Sequence, residues 1–458
     1  MIADLRATET ARICKCSARD FRLAIAGYVL LRLLSESGPR LLLSGVPPIT
    51  SQSSIHRGKG AQSVNPLLAL LDLSDHEKRE RGLVHTPREI MQQPASWQVT
   101  FDGLRSRLPE IRDFLNSSGL RDEPGKRPIV FLIGAGTSDY IGHSLHHLLR
   151  RQWQCEVIPV SSPDLLMGFT DYILPQQLYL WISFSRSGDS PESVAVLERA
   201  LADCPAVRHI VVSCNAAGRM TRSVDGQKKG LAIVLDEATN DRGLAMTSSF
   251  SNMLLAGQIL AHAWSVEAYE PICGALSEAG ESFMLRSADI AAELADGGYA
   301  RACFVGSGLL AGAGMESALK LLELTAGNVQ AFSESTLALR HGPMSALDQH
   351  TLFVSFVSSQ EQQRKYELDL LNEIRDKSLV RTCVAVATTG ISALEGRADY
   401  IVSPERVFDV PDLYRPILDV IFGQLLGLFT SVHFGLKPDS PSPNGAISRV
   451  VQNVEIYQ

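Results

Sequence analysis

Between Ile129 and Leu235 the chain alternates short apolar runs with longer mixed stretches. Ile129–Ile133, Glu156–Val160, Leu178–Phe184, Arg208–Ser213 and Leu231–Leu235 have the length and composition of buried strands, and the segments between them leave room for helices. Apolar strands that alternate with helices predict a parallel sheet covered on both faces, an α/β architecture. Upstream, residues 65–124 read as helical. Thr86-Pro87-Arg88-Glu89 places a capping residue, a proline and an acid in helix-start order. Trp97, Leu104, Leu108, Ile111 and Leu115 recur at three- and four-residue spacings, which predicts one long amphipathic helix. Gly125-Lys126-Arg127-Pro128 reads as a linker. Residues 1–64 are more basic, rich in Ser, Pro and Gly after Ser35 and without sustained periodicity, so they are read as a poorly structured extension outside the fold.

The pattern then returns. Gly134-Ala-Gly136 comes back as Gly306-Ser-Gly308 and Ser183-Phe184 as Ser355-Phe356, both at an offset of 172; Val207-Arg208 comes back as Val380-Arg381 at 173. Landmarks at a nearly constant offset predict two copies of one domain, drawn at 125–275 and 276–440, each a parallel sheet flanked by helices in a flavodoxin-like three-layer sandwich. A tail over 441–458 follows.

Bulk properties narrow the class. The 458 residues are 45% hydrophobic and 20% charged, ample for a large core. A net charge of −7 with no basic cluster in the globular part argues against a nucleic-acid partner. The eight cysteines are scattered, and Cys14-x-Cys16 has the wrong spacing for a zinc knuckle, so reduced thiols are expected, with no metal. No run approaches the roughly 20 uninterrupted apolar residues of a spanning helix. No secretory signal is apparent either. A cytoplasmic protein with no membrane partner is the expectation.

The candidate chemistry lies at the carboxyl ends of strands, where open α/β sheets bind ligands. Ser185-Arg186-Ser187-Gly188-Asp189-Ser190 follows an apolar strand, and Pro191-Glu192 opens a helix after it. Hydroxyls around a glycine at a helix N-terminus suit an anion, and the planar fork of Arg186 suits a phosphate. Thr137 and Ser138 sit after the first Gly-x-Gly. Residue 139 is Asp and residue 311 is Ala, so neither copy completes a dinucleotide fingerprint. Copy two replaces the serine loop by Val357-Ser-Ser-Gln-Glu-Gln362, without the glycine or the basic residue. It offers instead Glu316, Lys320 and Glu323 on one face of a helix that starts at the ligand end of its sheet, and His341 before a Gly-Pro turn. A carboxylate there suits proton transfer between adjacent carbons, and a histidine suits opening of a sugar ring. Asp241, Arg242 and Thr247 lie in a polar loop after the last strand of copy one.

Together these residues resemble the sugar isomerase (SIS) superfamily, and most closely its galactosamine-6-phosphate deaminase branch, also known as tagatose-6-phosphate ketose/aldose isomerases. The blocks are His85–Pro94, Ile182–Ser193, Asp241–Ser249, Glu316–Gly327, Arg340–Pro343 and Asn444–Val451. The resemblance implies two tandem SIS domains and a sugar phosphate as the small-molecule partner, with no cofactor. It implies a phosphate held by Ser138, Ser185, Arg186, Ser187 and Ser190, Glu323 as the base between C1 and C2, and His341 as the ring-opening group. In relatives this histidine can be supplied by the neighbouring subunit, which would require a homo-oligomer of at least two copies. Thr137, Asp241, Arg242, Thr247, Lys320 and Arg449 are further candidates, the last in a tail over the active site. Arg449 stands where the related synthase has a sugar-binding lysine, and a guanidinium forms no Schiff base. The implied reaction converts galactosamine 6-phosphate to tagatose 6-phosphate and ammonia. Isomerisation without loss of nitrogen, or a non-catalytic sugar-phosphate sensor, stay open.

Overall fold

The structure is a computed structural model that describes residues 64–406, 408–451 and 454–457. The expectation for residues 1–64 falls, Val64 apart, outside the described residues. Among the described residues ten strands form two sheets. The first holds β1 (Ile129–Gly134), β2 (Val157–Ser161), β3 (Tyr179–Ser185), β4 (Val207–Ser213) and β5 (Gly230–Val234) in the order β2-β1-β3-β4-β5. The second holds β6 (Arg301–Gly306), β7 (Gln330–Ser335), β8 (Thr351–Phe356), β9 (Thr382–Val386) and β10 (Tyr400–Val402) in the order β7-β6-β8-β9-β10. Every pairing is parallel, and the two orders are the same when counted within each copy.

The repeat extends to register. Ile133 faces Ser183 and Val305 faces Ser355, so the offset of 172 holds across the central pair of strands. The third landmark moves: Leu180 faces Arg208 while Leu352 faces Thr382, so the fourth strands correspond at 174, and Val380-Arg381 lie just before β9. Chain inserted between strands shifted the local motif but not the pairing.

Alternation within the strands distributes the copies between a shared core and separate ones. Val130 and Leu132 of β1, and Ala302 and Phe304 of β6, point into one continuous cluster with the N-terminal helices and with helices Ser248–Ala261, Val266–Ala295, Leu310–Leu324 and Pro416–His433. Phe131 and Ile133 point into an outer cluster of copy one. Cys303 and Val305 point into an outer cluster of copy two. The boundary drawn at 275/276 therefore falls inside the 30-residue helix Val266–Ala295, which belongs to the common core. Helix Pro416–His433 is long and apolar enough to cross a membrane by length and composition, but 89% of it is buried against its neighbours.

The predicted long helix over Trp97–Leu115 is two helices, Gln93–Ser106 and Leu108–Ser117, with Pro109 opening the second. The first is pinned to the central layer by polar contacts: Trp97 Nε1 donates to Ser251 Oγ at 2.9 Å and Thr100 Oγ1 to Asn252 Oδ1 at 2.7 Å. Cys155, Cys204, Cys214, Cys273, Cys303 and Cys383 are free thiols.

Candidate active site

The chain must turn sharply at the end of β1. A Cβ on Gly134 would lie 2.2 Å from the backbone carbon of Ser138, so only glycine lets the helix Thr137–His143 begin directly above the strand. Thr137 and Ser138, both buried, are thereby held next to the end of β3, where the strand order reverses. After β3 the serine loop organises itself. Ser185 Oγ accepts from the Gly188 amide at 3.0 Å and Ser187 Oγ from the Asp189 amide at 3.2 Å. Ser190 occupies the cap position of helix Pro191–Asp203, yet its side chain makes no capping bond.

Arg186 is used differently from the sequence expectation. It is 5% exposed, and its fork donates to the carbonyls of Gly243 at 3.2 Å, Leu244 at 3.1 Å and Arg449 at 2.6 Å. A guanidinium committed to three carbonyls ties the loop over 240–244 and the C-terminal tail to the serine loop; it does not present a free fork to a phosphate. Arg449 completes the tie, with Nε donating to the Asp241 carbonyl at 2.8 Å and Nη2 to Asn240 Oδ1 at 2.6 Å. The buried carboxylate of Asp241 accepts from the amides of Thr247 and Ser249 at 2.7 and 2.8 Å and from the hydroxyls of Ser248 and Ser249. It thus caps helix Ser248–Ala261. Thr247 lies buried in this cap, and Arg242 turns its side chain to solvent.

Copy two contributes from an unexpected end. Helix Leu310–Leu324 starts at the carboxyl edge of its own sheet, but Glu316, Lys320 and Glu323 occupy its later turns and meet copy one instead. Lys320 Nζ donates to Thr137 Oγ1 at 2.9 Å and to Glu323 Oε2 at 2.5 Å, and lies 3.5 Å from Glu316 Oε1. Lys320 and Glu316 are fully buried, whereas Glu323 keeps 24% of its side chain exposed. Burial pushes the Glu316 carboxyl up to about 8, with the Lys320 charge opposing. For Lys320 burial works downward, but Glu316 and Glu323 outweigh it and hold the ammonium above its ordinary value. The charges of Glu323 and Arg186 also act on each other. The acid–base pair therefore stands at the edge of copy one that carries the serine loop.

His341 does not join it within one chain. It ends the short helix Ala338–His341, beyond the carboxyl end of β7, and is exposed. Glu323 precedes the amino end of β7, a strand roughly 20 Å long. Leu339 packs in the outer cluster of copy two, on the sheet face opposite helix Leu310–Leu324. Among the described residues no cluster of His, Cys, Asp or Glu is arranged to hold a metal ion.

No family model matches the chain. It is 36% identical over 384 residues to a D-galactosamine-6-phosphate deaminase AgaS of Escherichia coli, covering 81% of this chain and 95% of that one. The chain belongs to the AgaS family of D-galactosamine-6-phosphate deaminases. A solved tagatose-6-phosphate ketose/aldose isomerase from Escherichia coli is similar at 32% identity and a TM-score of 0.73, over 81% of this chain and 96% of that one. A candidate enzyme of the same description from Clostridium novyi NT gives 28% identity and a TM-score of 0.80, over 85% and 98%.

Two carboxylates of this AgaS-family chain near the serine loop escaped the sequence reading. Asp439 accepts from the amides of Val84, His85 and Thr86 and from the Thr86 hydroxyl, so it, not Thr86, caps helix Thr86–Met91. Glu89 on that helix accepts from the amides of Arg242 and Gly243. Glu89 lay in a quoted motif but read as an ordinary first-turn acid; Asp439 is some 350 residues from its partners and gave no local signal.

Proposed function

We propose that the chain converts D-galactosamine 6-phosphate to D-tagatose 6-phosphate and ammonia. The observation that carries this reading is Lys320, which links Glu323 of copy two to Thr137 at the anion-binding edge of copy one. The phosphate is bound by the hydroxyls of Ser138, Ser185, Ser187 and Ser190 with the helix N-terminus behind them. His341, exposed and remote from its own Glu323, is supplied by a second copy of the chain and protonates the ring oxygen as the sugar opens. Glu323 takes the proton from C2 and returns it to C1, with Lys320 beside it to stabilise the carboxylate. The C1 carbonyl becomes an alcohol and C2 a ketimine, which water hydrolyses to the ketone and ammonia. Neither hydride nor redox partner is needed for this balance.

The name of the similar Escherichia coli structure favours a second reading, aldose–ketose exchange without loss of nitrogen. Ammonia release measured with galactosamine 6-phosphate, glucosamine 6-phosphate and their N-acetyl forms separates the two. No ammonia from any of them, with the protein folded, rejects the deaminase. A Glu323→Gln variant is expected to lose about 10²–10⁴-fold in kcat; full activity in that variant rejects the assigned base.

A further inference from the structure

We propose that Glu89 is a positioning residue for this site: its carboxylate holds the amides of Arg242 and Gly243, in the loop whose next two carbonyls, those of Gly243 and Leu244, anchor Arg186, and through Arg186 it sets the C-terminal tail over the serine loop. The inference rests on the reading of copy one as the phosphate side.

The connection is continuous. Glu89 Oε1 accepts from the Arg242 amide at 2.5 Å, and both of its oxygens lie 3.3 Å from the Gly243 amide. The carbonyl of Gly243 and that of the next residue, Leu244, take the two bonds from Arg186 Nη1, while Nη2 of the same guanidinium holds the Arg449 carbonyl. The loop cannot relax away from the carboxylate by substitution at 243: a Cβ there would lie 2.8 Å from Thr86 Oγ1 and 2.9 Å from Glu89 Oε2. Asp439 fixes the other side, accepting from the start of the Glu89 helix and, through its carbonyl, from the Leu244 amide at 3.0 Å. A carboxylate offers both oxygens to these amides; a protonated or amidated group keeps one accepting oxygen and gives up the second oxygen's bond to Gly243 along with the charge.

This position is also electrically expensive. Burial pushes Glu89 up to about 7, with the carboxylate of Asp241 adding to the rise and the two amides opposing it; Asp439 adds a smaller push upward. Arg88 on the same helix and Arg242 in the loop turn outward. Of the helices packed against it, Pro66–Leu71 carries no titratable side chain, Gln93–Ser106 carries Asp102 and Arg105, and Pro416–His433 carries Asp419 and His433. Protonation near neutrality therefore has opposite consequences for stability and for the site. A carboxyl raised in the folded state binds its proton more tightly there than in the unfolded chain. Its contribution to stability grows as pH falls from about 7 toward the ordinary 4.5. The clamp on Arg242 and Gly243 weakens over the same interval.

The test compares the intact protein with Glu89→Gln. Inorganic phosphate affinity, read by titration calorimetry, is expected to fall about tenfold in the variant, and KM for the sugar phosphate to rise by a similar factor while kcat stays within about twofold. Phosphate's own protonation and the raised carboxyls of Glu316 and Asp419 act in both proteins, so between about pH 7.5 and 6 the wild type should show a steeper drop in phosphate affinity and a larger rise in unfolding midpoint than the variant. Equal phosphate affinity and an unchanged pH profile in Glu89→Gln overturn the proposal. If Glu89→Gln does not fold, Glu89→Asp, which keeps the charge but draws it back from the Arg242 and Gly243 amides, takes its place, and phosphate affinity equal to the wild type overturns the proposal. Because phosphate binding is the readout, an enzyme that binds phosphate but releases no ammonia sinks the deaminase reading and leaves this one standing.

Discussion

The loops that follow β3 and β8 occupy the same place in two sheets of identical strand order and register, and they end differently. In copy one the Ser185 and Ser187 hydroxyls accept from amides of the loop itself, no carboxylate from elsewhere among the described residues enters it, and the Ser190 side chain makes no capping bond. In copy two the corresponding amides are already taken by the chain's own carboxylates. Asp412 accepts from the Ser359 amide at 3.0 Å and from the Ser358 hydroxyl at 2.5 Å, and Glu367 accepts from the Ser358 amide at 2.7 Å. Fully buried Arg415 balances this charge, donating to Asp412 at 2.8 Å, to Asp419 at 3.0 Å and to the Val357 carbonyl at 2.9 Å. The anion-binding geometry of the fold survives in both halves, but one is filled from within. On the proposed reading a duplicated domain thus keeps a single ligand site, and the helix of the closed half supplies its acid–base groups to the open one.

The largest disturbance of this contrast removes Arg415. Arg415→Met strips the counter-charge from two buried carboxylates, and losing one partner of such a pair costs about 3–5 kcal/mol. Asp419, already pushed up to about 6 by burial, escapes part of the cost by protonating. Asp412 does not escape so easily: burial works to raise its carboxyl, but Arg415 and the bonds from Ser358 and Ser359 prevail and hold it below its ordinary 3.8. Denaturant unfolding checks the loss; a change under about 1 kcal/mol would show that Arg415 does not neutralise the pair.

Removing the plug has a smaller and more specific effect. Asp412→Ala leaves the Ser359 amide, the Ser358 hydroxyl and one arm of Arg415 without their anion, so the variant should lose about 1–3 kcal/mol and regain part of it with inorganic phosphate beyond what the wild type gains. Equal phosphate responses would mean that the closed loop is not an anion site. The wild-type advantage over this variant depends on pH. A carboxyl depressed in the folded state stabilises above its unfolded value, so the difference should shrink as pH falls below about 3.8.

Much of this was legible in the sequence because it is periodic or local. The strands of the first sheet follow from apolar runs, the second sheet from the repeat of Gly134 at Gly306, and the serine loop from its own composition; β7, Gln330-Ala-Phe-Ser-Glu-Ser335, has no apolar run to announce it. What was not legible depends on packing between distant segments. The spacing of Glu316, Lys320 and Glu323 placed them on one face, but only the packing of the two halves shows that this face meets Thr137. Arg186 looked like a phosphate fork because its partners, the carbonyls of Gly243, Leu244 and Arg449, have no side-chain signature. The carboxylates that close copy two lie as far as 54 residues from the loop they fill.

The subtlest way to sharpen the contrast is at Ser190. A cap serine that bonds the helix contributes about 1 kcal/mol, and its loss appears in the unfolding midpoint. Ser190 holds the cap position of helix Pro191–Asp203 without that bond. Ser190→Ala should therefore leave stability within about 0.5 kcal/mol of the wild type while weakening phosphate several-fold. A serine change in the copy-two loop, Ser358→Ala, removes a bond to Asp412 and should do the reverse, lowering stability and leaving phosphate affinity unchanged. If Ser190→Ala destabilises the fold and binds phosphate as before, the hydroxyl is a structural cap and the open half differs from the closed one only in its charges.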